Sequence, residues 1–292
     1  MPPRLFCFGL GYCATALARR LIGRGWSVAG TRRSGDNRGD LPAQNVTTHI
    51  FDRGRPLDDP AAALAGTTHL LVSVPPDDDA ERHGDVVLDL HGGDIVALPD
   101  LTWVGYLSTT GVYGDRGGAL VDESAALRPS GERGQRRVAA EAGWLGLHER
   151  HRLPVHVFRL AGIYGPGRSA LDTVRAGRAH RVVKPGQVFS RIHIDDIVQV
   201  LEASIARPNP GAVYNVCDDD PAPPQDVIAH ACALLGVTPP PEIPIEQARL
   251  SPMALSFYAD NKRVDNSRIK HELGVRLRYP SYRDGLAALL AE

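Results

Sequence analysis

A chain of 292 residues, 43% of them hydrophobic, is long enough to bury a full core as one large α/β domain or two small ones. Its 33 basic and 34 acidic residues leave a formal net charge of −1, which removes the electrostatic case for nucleic acid or an anionic membrane as partner and points to a small molecule. The apolar run at the N-terminus is too short to span a bilayer and lacks a convincing small-residue cleavage site, so a cytoplasmic protein is expected.

Leu5-Phe6-Cys7-Phe8 predicts a short buried strand, which breaks into Gly9-Leu10-Gly11-Tyr12-Cys13-Ala14. Beyond the break, Ala14, Leu17, Ala18 and Leu21 recur on one helical face, while Arg19, Arg20 and Arg24 fall mostly off it. Strand, tight turn and helix in this order predict a dinucleotide site. Gly9 permits the turn, Gly11 lets the backbone approach a pyrophosphate, and the helix N-terminus offers N–H groups with a partial positive charge. Glycines turn chains in many other settings, so the neighbouring strand decides the reading. That strand, Trp26-Ser27-Val28-Ala29-Gly30-Thr31, ends at Arg32-Arg33. A guanidinium there grips the 2′-phosphate of NADP where a carboxylate would repel it, which favours NADP over NAD. The alternative reading of the pair is two solvated surface arginines.

Leu70-Leu71-Val72-Ser73-Val74, Trp103-Val104-Gly105-Tyr106-Leu107-Ser108, Leu153-Pro154-Val155-His156-Val157-Phe158-Arg159-Leu160 and Ala212-Val213-Tyr214-Asn215-Val216 read as further buried strands. Helical patterns over 137–149 and 197–206 lie between them, and the charged stretch 77–82 reads as a solvated loop and helix start. Such alternation predicts an α/β protein with a Rossmann-type doubly wound parallel sheet. After Asp218 the texture changes to Pro221, Pro223 and Pro224, a helical run over 225–235, and Pro239-Pro240-Pro241. This composition predicts a smaller C-terminal substrate lobe joined through proline turns. The expected division is a dinucleotide-binding domain over 1–165, completed by 192–218, with 166–191 and 219–292 forming the lobe. Cys7, Cys13, Cys217 and Cys232 lack paired metal spacing and read as buried thiols, with no structural metal.

The stretch Ser108-Thr109-Thr110-Gly111-Val112-Tyr113-Gly114 resembles the extended short-chain dehydrogenase/reductase family, the group containing NAD-dependent epimerase/dehydratases. Arg159-Leu160-Ala161-Gly162-Ile163-Tyr164-Gly165-Pro166-Gly167, Arg191-Ile192-His193-Ile194-Asp195-Asp196-Ile197 and Tyr214-Asn215-Val216 match it in order and spacing. Asn261-Lys262-Arg263-Val264-Asp265-Asn266, Leu273-Gly274 and Tyr279-Pro280 resemble its atypical, YeeZ-like branch. The resemblance implies that Asp52 meets the adenine edge and that Ser73, Val74, Pro75 and Ser108 line the cofactor. It also implies dimerisation through helices flanking the sheet, to which 137–149 would contribute, although Trp144 and Leu145 read equally well as internal core.

One departure bears on chemistry. The family's catalytic group is a Ser or Thr, a Tyr, and a Lys four residues after it. Thr109 matches the first, but Pro129-Ser130-Gly131-Glu132-Arg133-Gly134-Gln135-Arg136-Arg137-Val138-Ala139-Ala140-Glu141 puts Arg133 at the tyrosine position and Arg137 at the lysine position. Hydride transfer at a carbinol carbon needs a group that exchanges the hydroxyl proton, and a guanidinium does not titrate near neutral pH. Arg137 is expected to keep the lysine's electrostatic role and Arg133 to clamp substrate. Tyr113 leads Tyr164 and His193 as replacement acid/base; each reads otherwise as a packed aromatic or a loop-holding histidine. Arg191 with His193 resembles the family's substrate-side pair, and Tyr164 joins them as an expected substrate contact. The expected activity is that of an atypical NADP(H)-dependent oxidoreductase or epimerase-like enzyme acting on a small polar substrate. The alternative, favoured by the missing Tyr and Lys, is a non-catalytic NADP(H)-binding sensor.

Overall fold

The computed structural model describes residues 2–34, 46–77 and 84–291; positions 78–82 of the charged stretch lie outside the described residues. The chain divides into two compact units, and each is built from separated segments.

The first unit comprises Met1–Thr109, Glu132–Arg159 and Val198–Tyr214. Its centre is a seven-stranded sheet of β1 (Arg4–Phe8), β2 (Ser27–Arg32), β3 (Val46–Ile50), β4 (His69–Val72), β5 (Trp103–Thr109), β6 (Val155–Leu160) and β7 (Val213–Val216). The strand order is β7-β6-β5-β4-β1-β2-β3. β1 pairs in parallel with β2 and β4, β2 with β3, and β4 with β5. This is the Rossmann-type parallel sheet expected from the alternation. Leu5, Phe6, Cys7, Phe8, Leu70, Leu71, Val72, Val104 and Tyr106 are all fully buried. Parallel strands covered on both faces read as continuous apolar runs for this reason. β3 lies at the sheet edge, where Thr47 and Thr48 are exposed.

Helices α1 (Tyr12–Ile22), α2 (Val86–Val96) and α3 (Glu132–His151) belong to this unit. Asp85 caps α2 by accepting from the Val87 and Leu88 N–H groups at 3.0 and 3.1 Å, and its other oxygen accepts from Trp144 Nε1 at 2.9 Å. Trp144 is fully buried in the core, with Leu145 packed against that core. Of the two readings of Trp144 and Leu145, the internal one describes their surroundings.

The second unit comprises Thr110–Gly131, Leu160–Ile197 and Asn215–Glu292. Three short parallel pairs hold it: Gly162–Tyr164 with Arg191–His193, Leu120–Val121 with Arg263–Val264, and Arg181–Val183 with Glu242–Pro244. Helices α4 (Ala170–Arg175), α5 (Pro224–Leu234) and α6 (Tyr282–Ala291) enclose a small core of Tyr164, Leu171, Val227, Tyr282 and Leu286. The Asp196 carboxylate accepts from the backbone N–H groups of Arg278 and Tyr279 at 2.6 and 3.0 Å, tying the C-terminal segment down. The division differs from the expected one. Segments 110–131, 160–165, 192–197 and 215–218 join the second unit, because strand pairs such as Leu120–Val121 with Arg263–Val264 are made there. Among the described residues no helix is long and apolar enough to cross a membrane.

Candidate functional site

In the first unit the glycine turn is built as β1 ends. Gly9 has φ +87°, and a Cβ on it would lie 2.9 Å from Ser73 Oγ and 3.0 Å from Val74 Cγ2. Only glycine fits that backbone and that gap. The Gly9 N–H donates to Thr31 Oγ1 at 2.8 Å, the Leu10 N–H donates to the Thr31 carbonyl at 2.8 Å, and the Ser73 hydroxyl donates to the Gly9 carbonyl at 2.5 Å. The turn is thus held from both sides by β2 and the end of β4. Gly11 is different: a Cβ there would meet nothing within 4 Å. It sits at the N-cap of the eleven-residue α1, and no side chain caps that end. Open space beside an uncapped helix N-terminus fits the pyrophosphate of a dinucleotide.

Tyr12 is half-buried and Cys13 buried as α1 begins, while Leu10 is buried beside Thr31. Arg32 is half-buried as the last residue of β2, and burial draws its guanidinium below the ordinary value; Arg33 is exposed. Asp52 is already engaged. Arg55 pairs with its carboxylate through Nη2 and through Nε at 2.9 Å, and a side-chain hydrogen bond from Arg55 holds Asp52 below the usual carboxylate range. The same Arg55 donates to the Arg33 carbonyl at 2.8 Å, so it fastens the segment after β3 to the end of β2. Val74 is half-buried against Gly9 and Pro75 is exposed.

At the C-terminal end of β5, Thr109 is half-buried, whereas Ser108 is buried with its hydroxyl donating to Glu141. Arg159 holds both oxygens of that carboxylate, with Nε at 3.2 and 3.1 Å and Nη2 at 2.7 Å. Arg137 lies one turn before Glu141 on α3 and donates from Nη1 to the Leu107 carbonyl at 2.9 Å and to the Tyr106 hydroxyl at 3.0 Å. The arginine at the lysine position therefore reaches the strand that ends in Thr109. Arg133, one turn earlier still, is exposed and has no side-chain partner among the described residues.

The other expected groups belong to the second unit. Tyr113 is fully buried and its hydroxyl donates to Asn215 Oδ1 at 2.7 Å. A phenol so placed has no proton to offer a ligand without first leaving Asn215. Tyr164 is 7% exposed, donates to the Ser281 carbonyl at 3.4 Å, and is pushed up by burial. His193 is 1% exposed; its Nδ1 accepts from the Asp195 N–H at 3.2 Å, and burial pulls its pKa down. Arg191 is half-buried and donates from Nη1 to the carbonyls of Phe189 and Ala222 at 2.8 and 3.0 Å.

Sequence reasoning did not single out Thr31, Arg55 or Asn215. Thr31 carried a signal, as the polar residue closing an apolar strand; Arg55 and Asn215 act across separations of 22 and 102 residues that no local pattern reveals.

No family model matches the chain. A conserved protein of unknown function from Silicibacter pomeroyi is 52% identical, covers 99% of this chain and 98% of its own, and superposes with a TM-score of 0.90. Protein YeeZ of Escherichia coli is 29% identical over 288 residues, 93% of this chain and 94% of that one. A structure from Methylobacillus flagellatus, named for the NAD-dependent epimerase/dehydratases, is 28% identical with a TM-score of 0.73 and covers 99% of this chain and 98% of its own. In fold and in sequence the chain is similar to the NAD-dependent epimerase/dehydratases. Under that resemblance, Arg133 and Arg137 would stand where the usual tyrosine and lysine do.

Proposed function

We propose that the protein is an NADP(H)-dependent oxidoreductase or epimerase-like enzyme acting on a small polar substrate. The observation that carries the reading is the pair of glycines: Gly9 locked by φ and packing, Gly11 opening on empty space at an uncapped helix N-terminus. The backbone of Gly9, Leu10, Gly11, Tyr12 and Cys13 would hold the pyrophosphate, and Ser73, Val74 and Pro75 would flank the dinucleotide. Arg32 and Arg33 would take the 2′-phosphate. When bound, the nicotinamide supplies a hydride acceptor or donor.

We assign the contact with the substrate oxygen to Thr109 rather than to the enclosed Tyr113, with Arg137 supplying positive charge to the same strand end through its bond to the Leu107 carbonyl. A fixed cation beside a developing alkoxide lowers its energy without itself transferring a proton, so the hydroxyl proton would be exchanged with solvent water by way of the half-buried Thr109 hydroxyl. Arg133, exposed at the start of α3, is the proposed clamp for a carboxylate or phosphate on the substrate.

NADP is the finer part of the reading. The cationic end of β2 favours it, while the name of the Methylobacillus relative favours NAD. Parallel titrations of the whole protein with NADPH and NADH, followed by nicotinamide fluorescence and calorimetry, test it. Tighter NADPH binding supports the proposal; binding of neither removes it. The engaged hydroxyl of Tyr113 and the arginines at 133 and 137 favour a second reading, a cofactor-binding sensor without turnover. Sustained NADPH oxidation across a carbonyl panel would exclude the sensor.

A further inference from the structure

The second unit holds a cavity of ≈ 550 Å³ whose wall is uneven in charge. Its apolar side is formed by the ring of Tyr282 with Val227, Ile228 and Leu286, from α5 and α6. Its polar side carries Arg168, Arg178 and Arg191, against the single carboxylate of Asp172. That carboxylate is occupied: one oxygen accepts from the Ser169 N–H at 2.8 Å and from the Ser169 hydroxyl at 2.6 Å, closing the cap of α4.

Two of them, Arg191 and Arg178, are left with donors to spare. Arg191 commits only Nη1, to two carbonyls, so Nε and Nη2 have no hydrogen-bond partner among the described residues. Its charge is also shielded from water, and burial draws it below its ordinary value. Arg178 makes no side-chain hydrogen bond or ion pair among the described residues. A volume of this size accommodates a small metabolite, and guanidinium donors in a fork match the oxygens of a carboxylate or phosphate. Three arginines against one carboxylate on the wall, above an apolar floor, select for a ligand with both an oxyanion and an apolar body.

We infer that this cavity binds a small organic anion, one carboxylate or phosphate monoester on an apolar or aromatic body, with Arg191 and Arg178 on the oxyanion. The inference goes beyond the dinucleotide reading and is independent of it, since every residue it uses lies in the second unit.

The test is calorimetric titration of the full chain, without cofactor, with benzoate, phenyl phosphate, inorganic phosphate and benzyl alcohol. Saturable binding of benzoate or phenyl phosphate is expected, with benzyl alcohol and inorganic phosphate much weaker; the tighter of the two aryl anions names the oxyanion. Arg191→Gln should weaken it roughly tenfold and Arg178→Gln about threefold. Should Arg191→Gln fail to fold, the exposed Arg178 still decides. Absence of aryl-anion binding, wild-type affinity in the folded variants, or inorganic phosphate binding as tightly as phenyl phosphate would each overturn the inference. NADPH titration of the Arg178→Gln protein reads the cofactor proposal separately, so the two can fail independently.

Discussion

Arg159 and Glu141 form a buried ion pair, 5% and 2% exposed at their side chains, that ties β6 to α3. Ser108 adds a hydrogen bond from β5 to the same carboxylate. Three elements are therefore fastened at one point, a turn of helix away from Arg137. Removing one partner leaves the other charge buried and uncompensated. Arg159→Met or Glu141→Gln should each lower stability by about 3 kcal/mol or more. The double variant Arg159→Met/Glu141→Leu should recover part of the loss. Urea denaturation of the three proteins reads this, and equal losses in the single and double variants would contradict it.

Gly9 and Gly11 should separate folding from binding. Gly9→Ala forces a side chain into a left-handed backbone and against Ser73, so a loss of about 1–3 kcal/mol is expected. Gly11→Ala meets no protein atom and should melt within a degree or two of the parent. It should nevertheless weaken NADPH binding by roughly tenfold or more, because the methyl occupies the space assigned to the pyrophosphate. Melting curves and fluorescence titrations of both variants decide; unchanged affinity in Gly11→Ala would remove the cradle.

Arg32→Ala should weaken NADPH binding by roughly tenfold to a hundredfold and leave NADH within about twofold, as expected when a charge-assisted bond to a phosphate is lost. Equal losses for both cofactors would mean that Arg32 supports the end of β2 rather than reading the 2′-phosphate.

Asp218 gives a pH signature. It is 2% exposed, one of its oxygens has no hydrogen-bond partner among the described residues, and burial raises it from an ordinary 3.8 to about 8 against the pull of Arg191. With the folded value above the unfolded one, the native state holds the extra proton between those limits. Its contribution to stability is full below pH 3.8 and is lost as pH rises towards 8. Asp218→Asn should flatten that decline, which denaturant midpoints at several pH values would reveal; an unchanged slope would place the decline elsewhere.

The sheet was readable because its strands are buried on both faces and so appear as apolar runs. Gly9 was readable because a positive φ demands glycine. Arg133 and Arg137 could be aligned to their positions, but the reach of Arg137 to Tyr106 and Leu107 depends on how α3 lies over β5. The Tyr113 hydroxyl looked available from its turn motif, whereas Asn215, 102 residues later, occupies it. The unit boundaries were equally hidden, since Leu120–Val121 finds its partner strand near position 263. Local periodicity reports burial and conformation, not the identity of distant partners.

The interleaving of segments has a consequence for how the chain acquires its structure. β7, an outer strand of the sheet, arrives only at position 213, and the strand that pairs with Leu120–Val121 only at 263. During synthesis the N-terminal half emerges from the ribosome long before either partner exists. Closure of both units is therefore a late event with large loops to order, and the kinetics should be slow relative to a chain of the same length made of two sequential domains.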